Sequence, residues 1–149
     1  MFSFTRFSGL LALLSSAALA ANMQHLSGTQ YENKCTYTTW VDETTNDSPL
    51  ADDCMKVAKP FADAHQGWFF TDVTPTTFQL VGWHGTCAFG VRPVTKGGKT
   101  NFFFGSTDVY DLIFDATMRF KKTRSGKIGA SGVTRCDDTQ VNWKIFRRT

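Results

Sequence analysis

Gly85-Thr86-Cys87-Ala88-Phe89-Gly90-Val91 is the stretch on which the reading of the fold turns. Cys87, Phe89 and Val91 alternate with Thr86, Ala88 and Gly90, the period of a strand that shows one face to a core. Gly85 and Gly90 have no Cβ, so each marks an unusual backbone angle or a neighbour passing close. A strand held covalently at its middle and approached closely at its ends is expected at the centre of a sheet.

Short strands flank it on both sides. Residues 68–73, 78–83 and 100–104 are aromatic and β-branched runs divided by Thr74-Pro75, by His84-Gly85 and by Lys96-Gly97-Gly98, and connections this short imply antiparallel neighbours. Residues 35–40, rich in Thr and aromatics, have strand propensity. Residues 127–136 alternate small side chains, and residues 140–146 set Val141, Trp143 and Ile145 against Asn142, Lys144 and Phe146. Two segments carry the helical period instead. Ser48 as cap, Pro49 in the first turn, and Leu50, Cys54, Val57, Ala58 and Phe61 on one side predict a helix of about four turns, with Pro60 ending or kinking it. Val109, Leu112, Ile113, Ala116 and Phe120 predict a second helix starting near Ser106 or Thr107, with Arg119, Lys121 and Lys122 at its C-terminal end. The fold class is therefore α+β: one small disulfide-bonded domain, mainly antiparallel sheet, with both helices packed on one face.

The chain begins with Met1 to Arg6, continues with an apolar run and reaches Ala18-Leu19-Ala20, the pattern of a secretory signal peptide over 1–20. Cleavage there would leave 129 residues, enough for one domain, and a secreted, soluble, extracellular monomer is expected. Residues 21–34 are polar and aperiodic, and read as a late-ordering or mobile leader ahead of a domain at 35–149. Residues 21–75 carry a net charge of −5 and residues 76–149 of +7, which suits two halves packing together better than one charged face. Cys35, Cys54, Cys87 and Cys136 read as two disulfides. Of the three connectivities, Cys35 with Cys54 and Cys87 with Cys136 is the preferred one, because the first would close a loop before a helix and the second would join two strands. None of the spacings is that of a zinc site, and no metal or cofactor is expected.

Several of these pieces together resemble one family, the fungal secreted proteins known as necrosis-inducing factors, homologues of an extracellular effector of plant-pathogenic fungi. The resemblance is carried by Cys35 with Trp40, Thr44, Ser48-Pro49-Leu50 closing on Asp53-Cys54, and Gly85 to Val91. It continues through Asp108-x-x-Asp111-Leu112-Ile113, Gly126-Lys127-Ile128-Gly129-Ala130-x-Gly132, and Cys136 followed by Val141-Asn142-Trp143. Lys34 and Trp40 depart from the usual residues. The resemblance implies a non-enzymatic effector that binds a host plant protein and promotes virulence or provokes cell death. A kinship with killer toxins and an attachment to chitinase-like modules imply an alternative, an antimicrobial protein acting on the membranes or walls of competitors. The family supplies no catalytic motif.

A third reading, a small secreted ribonuclease, would need His25, His65 or His84 beside Glu32, Glu43, Arg92 or Arg135, and the sequence does not join them into a constellation. Trp40, Trp68, Trp83 and Trp143 are expected to fill the core before they form a sugar-stacking face. Phe102, Phe103 and Phe104 cannot all face one way. Lys121, Lys122, Arg124 and Lys127 form the one dense basic run, a possible contact for an anionic membrane or other surface, although a solvated loop explains it more simply; no nucleic-acid partner is expected. The sequon Asn46-Asp47-Ser48 is followed by Pro49 and is expected to stay unmodified.

Overall fold

The computed structural model describes residues 22–95, 100–122 and 125–149; the segment expected to be a signal peptide, the Lys96-Gly97-Gly98 stretch and Arg124 lie outside them. In chain order the elements are β1 (Asn22–Ser27), β2 (Cys35–Thr38), β3 (Val41–Asp42), α1 (Ala51–Ala58), β4 (Gln66–Val73), β5 (Gln79–His84), β6 (Cys87–Pro93), β7 (Thr100–Gly105), α2 (Ser106–Phe120), β8 (Ala130–Cys136) and β9 (Thr139–Arg147). The strands form two antiparallel sheets where one was expected: β1-β4-β7, and β2-β8-β9-β6-β5 with β3 also paired to β8. β6 is interior to the larger sheet, as its alternation predicts, and is buried throughout except at Arg92.

The inner face of the large sheet presents Phe89, Val91, Val141, Trp143 and Ile145, all but completely buried. Opposite them Trp68, Phe70, Phe102 and Phe104 of the small sheet are equally buried, and Phe89 meets Phe104 at 6.1 Å between ring centres. α1 packs on β5 and β6 and against α2, while α2 packs against β7. α1 thus lies on the inner side of the large sheet, with α2 beside it against the small sheet. Pro60 has the effect expected of it: α1 stops at Ala58 and a 3-10 turn, Lys59–Phe61, follows. Ser48 is not the helix cap. It lies in the preceding turn, where its hydroxyl accepts from Thr45 N–H at 2.9 Å, and Leu50 takes the cap position.

The disulfides join Cys35 to Cys136 and Cys54 to Cys87, which corrects the preferred pairing. Register explains the first, since β2 lies against β8 with Cys35 opposite Cys136. The second pins α1 to β6. Beside it, Asp53 Oδ2 accepts from Thr86 N–H at 2.9 Å and from the Thr86 hydroxyl at 2.8 Å, and that hydroxyl oxygen accepts from Leu50 N–H at 3.0 Å. Asp53-Cys54 and Thr86-Cys87 therefore form one clasp, polar and covalent, and the Thr86 donors hold the Asp53 pKa below its usual value. Gly85 makes it possible. Its φ is 51°, and a Cβ there would stand 2.5 Å from Asp53 Oδ2.

The stretch expected to be a mobile leader is partly a strand. β1 pairs with β4 along its whole length, and Gly28 N–H donates to His65 O at 2.7 Å. Its inward positions Met23 and His25 are exposed, so no apolar period announces it.

Candidate functional site

The positions singled out by sequence are widely distributed. Three tryptophans serve the core: Trp68 and Trp143 are buried, and Trp40 meets Trp143 edge-on at 5.2 Å. Trp83 is the exception, 53% exposed on β5. Phe102 and Phe104 point inward, and Phe103 stacks on Phe69 at 4.4 Å on the other side of the small sheet.

Of the acid and base candidates, His65 and Glu32 meet, with Nδ1 and Oε2 2.5 Å apart. This hydrogen bond raises the His65 pKa, so a carboxylate and not a helix end accounts for that histidine. Four of the others have separate partners. His25 is 2.7 Å from Gln66 Oε1, Glu43 pairs with Lys144 at 2.8 Å, Arg135 with Asp138 at 3.4 Å, and Arg92 lies on the Phe78 ring. Burial works to raise Glu43, but Lys144 and the Ser131 hydroxyl outweigh it and its pKa is lowered. Lys121 and Lys122 follow the end of α2. Lys127 donates to Asn46 O. Among the described residues no group of three or more His, Cys, Asp or Glu is placed to hold a metal ion, and no helix is long and apolar enough to cross a membrane.

One concavity is not indicated by the sequence. An open cleft of about 380 Å³ runs between β2 with Trp40 on one side and α2 on the other, within the size range of small-ligand sites. β2 is held firmly as its wall. Asp108, in the first turn of α2, accepts from the N–H groups of Lys34 at 2.8 Å, Cys35 at 3.2 Å and Gly105 at 2.9 Å. The Thr134 hydroxyl donates to Tyr37 O at 3.1 Å and Trp143 Nε1 to the Thr38 hydroxyl at 2.7 Å, and the Cys35–Cys136 bond closes the end. Asp108 is spent on this role; burial outweighs its three donors and pushes its pKa up to about 6.

The mouth of the cleft carries different chemistry. Tyr37 is 63% exposed. Asp111 and Asp115 stand one helical turn apart, where like charges repel, and the Asp111 pKa is raised by burial and by Asp115. Among the described residues neither carboxylate has an ion-pair partner. Arg119, one turn further on, would be the natural counterion of Asp115, but its guanidinium lies over the Trp40 ring at 4.7 Å. The site thus combines a firmly held wall, an exposed phenol, two carboxylates without an ion-pair partner among the described residues, and the Arg119 guanidinium turned onto Trp40.

A family profile described as "Hce2: Pathogen effector; putative necrosis-inducing factor" matches residues 34–136. The chain belongs to this family. The matched region of the Hce2 domain starts beside Cys35, ends at its disulfide partner Cys136, and contains Tyr37, Asp108, Asp111 and Asp115. Two curated proteins of Penicillium expansum are similar over most of the chain. "Probable chitinase LysM18" is 29% identical over 117 residues, 76% of this chain, and "Secreted chitinase LysM12" is 26% identical over 114 residues, 74% of it. The chain spans only 8% and 7% of their respective lengths.

Proposed function

We propose that this Hce2 protein is exported through the signal over residues 1–20 and acts outside the cell as an effector that works by binding, with the cleft between β2 and α2 as its contact. The observation that carries the reading is the pair Asp111 and Asp115, charged, unpaired and open to solvent beside the exposed ring of Tyr37. Two repelling carboxylates gain most from a ligand that brings positive charge. A Lys or Arg side chain of a host protein, its alkyl stem laid along Tyr37, supplies that charge. The wall held by Asp108 and the disulfide needs little ordering on association. Infiltrating leaves with the purified protein tests the function: cell death or a changed course of infection is expected, and an inert protein across several hosts would refute it.

The chitinase names of the two relatives favour a second reading, in which the ligand belongs to a fungal wall. Amino sugars of partly deacetylated chitin carry the same positive charge on a ring that suits Tyr37. Titration with glucosamine oligomers separates the two readings, since only the second expects saturable binding lost in Asp111→Asn/Asp115→Asn. Hydrolysis of RNA or chitin abolished by changing His84 or Glu43 would replace both with catalysis.

A further inference from the structure

The small sheet and α1 pack on the inner side of the large sheet, so on the outer side the small residues of β6 are covered only by side chains of the flanking chain. Register sets their order: Leu80 stands opposite Gly90 and Gly90 opposite Lys144, Trp83 opposite Ala88 and Ala88 opposite Phe146, and Arg92 opposite Asn142. Over the small residues of β6 the Phe78 and Phe146 side chains close in; a Cβ on Gly90 would lie 3.2 Å from the Phe78 Cβ and 3.3 Å from the Phe146 ring. Leu80 and Trp83 remain 45% and 53% exposed.

Two arginines lie over the rings of this apolar strip. The Arg92 guanidinium is 4.3 Å from the centre of the Phe78 ring, and that of Arg148 is 3.5 Å from the Trp83 ring. Neither has a carboxylate partner among the described residues, and Arg92 Nε is buried with no acceptor. Lys144 lies between them, already paired with Glu43. A guanidinium stacked on a ring still presents its N–H groups in plane at the edge, the geometry that grips a carboxylate with two hydrogen bonds. The rings that carry them, Phe78 and Trp83, are five residues apart along the β5 side of the sheet, so the two cationic edges stand roughly 15 Å apart.

A ligand that meets both arginines is long and carries repeated negative charge. We propose that the outer face of β5, β6 and β9 binds a linear acidic polysaccharide built from uronic acids. The chain runs along β9, its carboxylates engage Arg92 and Arg148, and the C–H faces of its rings lie along Leu80 and Phe146. Single-stranded nucleic acid is disfavoured because the guanidinium groups occupy the ring faces on which bases would stack.

Affinity electrophoresis and calorimetry with oligomers of polygalacturonic acid test this. A decamer is expected to bind, a disaccharide, too short to span both arginines, to bind at least about tenfold more weakly, and added salt to weaken both. Arg92→Gln/Arg148→Gln should weaken decamer binding by about tenfold or more, while Asp111→Asn/Asp115→Asn leaves it unchanged, separating this face from the cleft. No binding, affinity independent of length, affinity unchanged in the arginine variant, or equal affinity for polyglutamate or oligothymidine would each overturn the proposal.

Discussion

The disulfide pairing can be tested by a crossover between matched and mismatched double variants. Closing loops with sequence separations of 101 and 33 residues is worth about 4.7 kcal/mol for Cys35–Cys136 and about 3.7 kcal/mol for Cys54–Cys87 in the chain-entropy account. Cys54→Ala/Cys87→Ala removes one bond and leaves the other intact. It should lower the urea midpoint by roughly 2 M and leave no titratable thiol. Cys35→Ala/Cys54→Ala breaks both bonds, strands Cys87 and Cys136 as free thiols, and removes about 8 kcal/mol, comparable with the whole stability of an ordinary domain. It should be largely unfolded, with two thiols reactive in native buffer. The assay is urea unfolding followed by tryptophan fluorescence, with thiol titration on the same samples. If Cys35→Ala/Cys54→Ala proves the milder change and shows no free thiol, the pairing and the account of the clasp are wrong.

Two further perturbations follow from named contacts. Gly85→Ala forces a left-handed residue and drives a Cβ into Asp53, so unfolding should show a loss of about 3 kcal/mol, made of backbone strain and the two displaced hydrogen bonds; a loss below about 1 kcal/mol would show that the clasp does not depend on Gly85. Asp108 binds its proton more tightly folded, with a pKa of about 6 against 3.8, so its ionisation lowers stability by about 3 kcal/mol as pH rises through that window. Asp53, shifted the other way, contributes stability that is lost as pH falls below about 4. Unfolding across pH should therefore show a maximum on the acid side, and Asp108→Asn should flatten the fall between pH 3.8 and 6; an unchanged profile would mean that the three N–H donors, not burial, control Asp108.

Much of the fold was legible because burial leaves a period behind. Phe89, Val91 and Trp143 could be assigned to an inner face, and Leu112, Ile113 and Ala116 to a helix side, from spacing alone. β1 left no such trace, being an edge strand whose inward side chains stay wet. The disulfide pairing was not legible, because closing a loop before a helix and joining two strands suit the other connectivity equally well, whereas strand register places Cys35 against Cys136. The division into two sheets also escaped notice, since alternation reports that a strand has two faces and not which partner it takes. The cleft was the least legible part. Tyr37 and Asp111 are distant along the chain, Asp108 reads as an ordinary first-turn acid, and nothing local reveals that Arg119 turns to Trp40 and leaves Asp115 unpaired. The basic run at Lys121 to Lys127 attracted attention by density, yet Lys127 binds a backbone carbonyl, whereas Arg92 and Arg148 come together only through β-sheet pairing.

The most direct test of the proposed function is a dose series in leaf tissue comparing the wild-type protein with Asp111→Asn/Asp115→Asn, both first shown to have the same circular dichroism and urea midpoint. Removing two exposed, repelling charges should not harm the fold. The account predicts that the variant needs at least about tenfold more protein for the same response, the loss expected when a charge contact worth about 1.4 kcal/mol disappears. A variant as potent as the wild type would contradict it.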